Sequence, residues 1–207
     1  MAVQPVVFLV DDDASVRTSL TRLLEMAGYA VESFASAREF LAQEAFTGPC
    51  CLLLDVRMPG LTGLDLQETL TAARRRMSIV FVTGHVDVPM SVRAMKGGAV
   101  DLLTKPVDAA DLLQAIERAV AQDVRDRGEE ARVAEIKQRV AMLTPRETEV
   151  FALVVTGMLN KQIAFKLGVV EKTVKVHRAR VMEKMRAGSV ADLVRLADLA
   201  GVSVPVS

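Results

Sequence analysis

Cysteine is scarce in this chain, and the two copies it has, Cys50 and Cys51, are neighbours. A bridge between adjacent cysteines is strained, and two thiolates alone build neither a disulfide framework nor a zinc site. They read as two small residues opening a buried strand. Long apolar runs are missing as well. Nothing approaches the roughly 20 residues a helix needs to cross a bilayer. No basic leader precedes the first apolar run, Val6–Val10, so no export signal is expected and the cytoplasm is the default location, with no membrane partner. Repeats and low-complexity tracts are lacking, which excludes solenoids and biased linkers. Net charge is lacking too: 26 Lys+Arg stand against 26 Asp+Glu.

That balance hides a division. Residues 1–122 hold 11 Lys+Arg and 15 Asp+Glu, whereas residues 123–207 hold 15 and 11. An acidic half suggests a cation or a regulatory role, and a basic half suggests a polyanion partner. At 207 residues and 51% hydrophobic content, the chain suffices for two ordinary domains with packed cores.

The first half alternates strand and helix. Val6–Val10 is an all-apolar run ending in Asp11-Asp12-Asp13, and the helix after it carries Val16, Leu20, Leu23, Leu24 and Ala27 on one face, closed by Gly28. Residues 29–34 alternate weakly, as an outer strand would, and residues 36–44 read as a helix. Residues 51–54 form a buried strand stopped by Asp55. A helix over 64–73, a strand over 79–82 ending at Thr83, a helix over 88–96 stopped by Gly97-Gly98, and a strand over 100–103 before Thr104-Lys105-Pro106 complete the series. Short apolar strands alternating with helices predict an α/β doubly wound five-stranded parallel sheet covered on both faces. In such sheets the site lies beyond the carboxyl ends of the strands. There Asp11, Asp12, Asp13, Asp55, Thr83 and Lys105 converge.

Converging carboxylates repel unless a cation offsets them, and an all-oxygen set suits Mg²⁺. Lys105 adds a point charge for phosphate and Thr83 a hydroxyl donor. Asp, Mg²⁺, Thr and Lys together suit phosphoryl transfer with a carboxylate nucleophile. Each feature has a plainer reading: Asp13 as a helix cap, Lys105-Pro106 as a turn. Their coincidence at the ends of four strands is what favours the chemical one.

The segments FLVDDD, LLLDVRMPGLTGLDL, IVFVTGH and GAVDLLTKP, spanning residues 6–120, resemble the receiver domain of response regulators, with its flavodoxin-like fold. The resemblance implies Asp55 as phosphoacceptor, Mg²⁺ held by Asp11, Asp12, Asp55 and the carbonyl of Arg57, and phosphoryl contacts from Thr83 and Lys105. It implies a sensor histidine kinase as partner, and it admits a cis peptide at Lys105–Pro106. Met58-Pro59-Gly60 would shape the loop beside the acceptor. His85 stands as a solvent-facing loop residue or as one that tunes access of water to the phosphate. Receivers commonly carry Tyr or Phe three residues before the lysine, where this chain has Leu102. The aromatic rotamer switch therefore cannot operate in its usual form, and Thr83 is expected to move while Leu102 repacks inward.

Residues 123–141 read as a helical linker dense in both charge signs, with Gly128 as a candidate break. A solvated helical face and a partner-pairing coiled coil both explain that pattern. The domain limits expected are 1–122, 123–141 and 142–207. In the last, Thr144 as N-cap, Pro145 and Glu147 form a capping box, and Gly157 stops the helix. Asn160 is expected to cap a short helix ending at Gly168, and a third helix covers 172–186. Two short helices around a glycine turn are a helix-turn-helix signature. Val174, His177, Val181 and Met185 should face the core, leaving Lys172, Lys175, Val176 and Ala179 on another face. A fourth helix over 189–200 presents Val190, Leu193, Val194 and Ala197, with Leu196 at the edge, a stripe suited equally to core packing and dimer contact.

The segment LTPRETEVFALVVTGMLNKQIAFKLGVVEKTVKVHRARVMEKM resembles the LuxR-type DNA-binding domain, an all-α four-helix helix-turn-helix domain. Its pairing with a receiver is similar to the NarL/FixJ family, FixJ- and StyR-like members above all. That implies a phosphorylation-activated transcriptional regulator that is not an enzyme, forms a homodimer on phosphorylation and binds double-stranded promoter DNA, with RNA polymerase a further partner. Lys175 and Val176 would read base edges beside Thr173 and Ala179, while Lys161, Lys172, Arg178 and Arg180 would hold phosphates. Rival readings are a Mg²⁺-dependent phosphatase, a constitutive DNA-binding protein, and a basic helix docking an acidic protein or a membrane surface.

Overall fold

The computed structural model describes residues 4–84 and 87–202, and the chain divides into two compact units, Met1–Arg127 and Gly128–Ser207. The divide falls within the segment expected as the linker. In the first unit β1 (Val6–Val10), β2 (Ala30–Phe34), β3 (Cys50–Asp55), β4 (Ser78–Thr83) and β5 (Asp101–Thr104) form one parallel sheet in the order β2-β1-β3-β4-β5. Between them run α1 (Ala14–Met26), α2 (Ala37–Leu41), α3 (Gly63–Ala72) and α4 (Val88–Lys96), with α5 (Ala109–Ala141) after β5.

Every residue of β3 and β4 is buried, because both faces of the sheet are covered. On one face Val7, Leu9, Cys51, Leu53, Val80 and Val82 pack against α1 and α5 through Leu24, Leu112, Ile116 and Ala119. On the other, Phe8, Val10, Leu52, Leu54 and Phe81 meet Phe40, Leu66, Leu70 and Ala94 of α2, α3 and α4. The doubly wound expectation holds. Helix α2 is shorter than expected. Ser36 caps it, but Gln43 and Glu44 cannot extend its apolar face, and the chain leaves so that Phe46 meets Phe8 edge-on at 5.5 Å between ring centres. Cys50 and Cys51 are fully buried, and burial raises both thiol pKa values, that of Cys50 to about 11, which leaves them inert.

Helix α5 runs unbroken through Gly128. One part of the charge-dense segment differs from a solvated face. Asp123 is buried, and its carboxylate accepts the backbone N–H of Cys50 at 2.9 Å and Nε of Arg127 at 2.5 Å. Arg127 also donates to the Thr47 carbonyl, so the first turns past residue 122 are fastened to the start of β3.

The second unit comprises α6 (Pro145–Val154), α7 (Asn160–Leu167), α8 (Glu171–Met185) and α9 (Val190–Leu199), with Ile136 and Val140 of α5 joining its core. The capping box of Thr144 and Glu147 forms as expected. Asn160 does not cap α7. Leu159 takes the N-cap position, Gln162 accepts its N–H, and the Asn160 carbonyl oxygen is turned to Arg178. In α9 the buried residues are Leu193, Leu196 and Ala197, so Leu196 belongs to the core and Val194 is exposed, one position off the expected stripe.

Candidate functional site

The strand order reverses between β1 and β3, and Asp11 and Asp55 stand at the carboxyl ends of those two strands. A crevice at such a reversal is where this sheet architecture binds its ligand, because the helices after the two strands depart to opposite faces. Asp11 is 1% and Asp55 7% exposed, whereas Asp12 is open to solvent. Their carboxylate oxygens lie within 4.8 Å of one another.

Lys105 closes the group. Its Nζ donates to Asp11 Oδ2 and to Asp55 Oδ2, at 2.6 Å each. Burial works against the ammonium, but the two carboxylates outweigh it and raise its pKa. Burial likewise raises the pKa of Asp11, against the pull of Lys105 and of the Asp13 amide at 2.9 Å. One ammonium thus faces three carboxylates in a half-dry crevice, a charge balance that favours a further cation. A hard, oxygen-seeking divalent ion fits this donor set. Asp13 points away from it and caps α1, accepting the amides of Ser15 and Val16.

The backbone holds this arrangement tightly. The N–H of Arg57 donates to Asp55 Oδ1 at 3.0 Å, and the N–H of Lys105 donates to the Thr83 carbonyl at 2.9 Å, tying the ends of β4 and β5. Thr83 is fully buried at the tip of β4. The Lys105–Pro106 peptide is cis. Gly63 lies so near Asp55 that a Cβ there would sit 2.2 Å from the Asp55 carbonyl oxygen. The structure therefore brings Asp11, Asp12, Asp55 and Lys105 together, with Thr83 on the neighbouring strand end and Arg57 beside Asp55. His85 lies outside the described residues. Leu102 is half-buried against the core on the α4 side.

In the second unit, Lys172, Lys175, Val176, Ala179 and Arg180 of α8 are exposed, as is Lys161 of α7, while Val174, Val181 and Met185 are buried. Gly168, at φ +65°, supplies the left-handed turn that ends α7 before α8, a conformation costly for residues with a Cβ. Thr173 and Arg178 are half-buried, and Arg178 donates to Asn160 at 2.8 Å, joining α8 to the start of α7. Lys175 lies 3.3 Å from Glu171, an exposed pair of little energetic weight. His177 is half-buried, as its 3–4 spacing suggested, and its Nδ1 has no hydrogen-bond partner among the described residues. Lys184 belongs to the interior scaffold: its Nζ bonds the buried Glu147 at 2.6 Å and the Met142 carbonyl.

Sequence reasoning missed three supporting residues. Arg17 donates to the Asp11 carbonyl at 2.8 Å, Asp123 anchors β3, and Gln67, only 3% exposed, joins α3 to α4. For Gln67 there was a signal, a polar residue between Leu66 and Leu70 on a buried face. For the others there was none, since arginine and aspartate in charged segments ordinarily face water.

An acidic crevice with a convergent lysine and a separate basic helix-turn-helix define a signal-receiving protein with a nucleic-acid output. Residues 7–117 match the response regulator receiver domain, and residues 141–197 match the bacterial regulatory proteins of the luxR family. The chain belongs to the two-component response regulators that join a receiver to a LuxR-type DNA-binding domain. It is 48% identical to Nodulation protein W of Bradyrhizobium diazoefficiens over 198 residues, 96% of this chain and 87% of that protein. It is 43% identical to the transcriptional regulatory protein FixJ of Azorhizobium caulinodans over 197 residues, 95% and 93% of the two chains. The solved structure of response regulator StyR shares 45% identity at a TM-score of 0.82, covering 95% of this chain and 99% of that one. Among the described residues no helix is long and apolar enough to cross a membrane.

Proposed function

We propose that this chain is a phosphorylation-activated transcriptional regulator that takes a phosphoryl group on Asp55 from a histidine kinase, dimerises and binds promoter DNA in the cytoplasm. The observation that carries this reading is the Lys105 bridge at 2.6 Å to both Asp11 and Asp55. It sets a point charge suited to phosphate against the buried Asp55 carboxylate.

Asp11, Asp12, Asp55 and the carbonyl of Arg57 would hold Mg²⁺. When bound, the ion offsets negative charge building on the phosphoryl oxygens. The Asp55 carboxylate forms the new P–O bond as the P–N bond to the kinase imidazole breaks. Lys105 then exchanges one carboxylate for a phosphoryl oxygen, and Thr83 donates its hydroxyl to another. The added charge and acceptor oxygens shift the receiver toward a form that pairs with a second copy. Pairing presents two α8 helices one DNA turn apart, roughly 34 Å, to successive major grooves. Lys175 and Val176, beside Thr173 and Ala179, read base edges. Lys161, Lys172, Arg178 and Arg180 hold phosphates, and promoter-bound dimers engage RNA polymerase. The chain retains its phosphoryl group and does not turn over small phosphoesters.

Gel filtration and DNA footprinting with and without a small-molecule phosphodonor test this. One phosphoryl group retained per chain, a shift to dimer and a tighter footprint are expected, all lost in Asp55→Asn. Equal DNA affinity in both states contradicts the scheme, and steady phosphate release from small esters indicates the phosphatase.

A further inference from the structure

The surface between α3 and α4 is fastened at one end. The carboxamide of Gln67, in the middle of α3, donates through Nε2 to the carbonyl of Ala94 at 3.1 Å. That carbonyl lies in the last turn of α4 and also accepts the Ala99 N–H at 3.2 Å, while the Gly98 N–H reaches the Met95 carbonyl at 3.0 Å. These two backbone bonds, with Gly98 at φ +88°, form the Schellman closure of α4. Ala94 therefore accepts two donors, one from its own helix end and one from α3.

The neighbouring glycine has a different cause. Gly97 has an ordinary φ of −72°, but a Cβ there would fall 2.5 Å from Gln67 Oε1 and 2.6 Å from its Cδ. The Gln67 side chain fills the space a Cβ would need. On the solvent side Arg93 donates to Glu68 Oε1 through Nε at 3.1 Å and Nη2 at 2.8 Å, and Nη2 lies 3.6 Å from Asp65. Both ties leave from the C-terminal half of α4, whereas its first turn is the end nearer to β4 and Thr83 along the chain. The outer side of α4 exposes Val88, Val92 and Met95.

We propose that Gln67 is a positioning residue that fixes the C-terminal end of α4, so that a change at Thr83 turns the helix about that end instead of displacing it bodily. This rests on phosphorylation of Asp55 as read above. With one end fixed, a small displacement at the end of β4 becomes a reorientation of the exposed apolar side of α4. Without the fixed end, the same displacement is dissipated, and the two phosphorylation states resemble each other more. A buried, doubly used carbonyl suits this role, since a buried acceptor that loses a partner has no water to replace it.

The test is sedimentation of the full chain with and without phosphodonor, alongside phosphoryl incorporation and thermal unfolding. The wild type is measured first; if it shows no phosphodonor-dependent dimer, the phosphorylation reading fails and not the role of Gln67. Gln67→Met keeps the volume and removes the donor. It should lower the ratio of phosphorylated to unphosphorylated dimer affinity about tenfold, within the range of a coupling free energy between two sites, with incorporation unchanged. Gln67→Glu, which sets a carboxylate against the Ala94 carbonyl, should lower it further and keeps the test open if the first variant folds poorly. Arg93→Ala, at an exposed pair, should change the ratio by less than about threefold. A wild-type ratio in both Gln67 variants overturns the proposal, as does a fall in melting temperature with that ratio intact, or a parallel loss of phosphoryl incorporation.

Discussion

At the residue scale, the crevice at the strand ends depends on how closely backbone and charge can approach Asp55. Lys105 screens two carboxylates that would otherwise resist sharing a crevice, and its raised pKa keeps it charged. Gly63 permits α3 to start against the Asp55 carbonyl. Gly63→Ala forces one of the two to move, with a destabilisation of about 1–3 kcal/mol, typical of overpacking. It should also slow phosphoryl uptake more than tenfold, because Asp55 is displaced from Lys105. Denaturant unfolding and phosphodonor kinetics on the same variant check both parts, and normal uptake would show that α3 can yield without moving the acceptor.

At the element scale, the second unit is locked by one buried carboxylate. Glu147 closes the N-terminal box of α6 and reaches Lys184 near the end of α8. The Lys184 bond first, then the Thr144 amide, hold its pKa down to about 2 from an ordinary 4.5. A depressed acid stabilises the fold above its unfolded value and loses that contribution as pH falls through the folded one. The second unit should therefore weaken progressively between about pH 4.5 and about pH 2. Glu147→Gln should be less stable at neutral pH and flatter across that window. Amide exchange of α6 and α8 over a pH series reports it. Equal slopes in both proteins would assign the acid sensitivity elsewhere. Helix α5 shows a related lock, with Asp123 and Arg127 holding the turn next to β3.

At the scale of the whole molecule, an acidic half and a basic half carry separate tasks, and their charges predict different salt responses. Lys172→Ala should weaken binding to operator and random duplexes alike and reduce the salt slope by about one. Val176→Ala should leave that slope unchanged and alter the preference among sequences. Fluorescence anisotropy over a salt series separates the two. An unchanged slope for Lys172→Ala would remove that lysine from the phosphate contacts.

Much of this was legible beforehand because it is local or periodic. The apolar runs ending in Asp11, Asp55 and Thr83, the Thr144 capping box and the 3–4 spacing of Val174, Val181 and Met185 each depend on neighbours in the chain. Burial on a known period therefore determined the two architectures, and a parallel sheet carries the residues at its strand ends to one edge. Tertiary structure alone decided which polar groups would be enclosed. Asp123, Glu147 and Arg178 look like surface residues until a partner 18 to 73 positions away supplies the other half of a hydrogen bond. Asn160 left its expected cap for the same reason, because a charged donor across the unit competes for an oxygen that local geometry had reserved for its own helix.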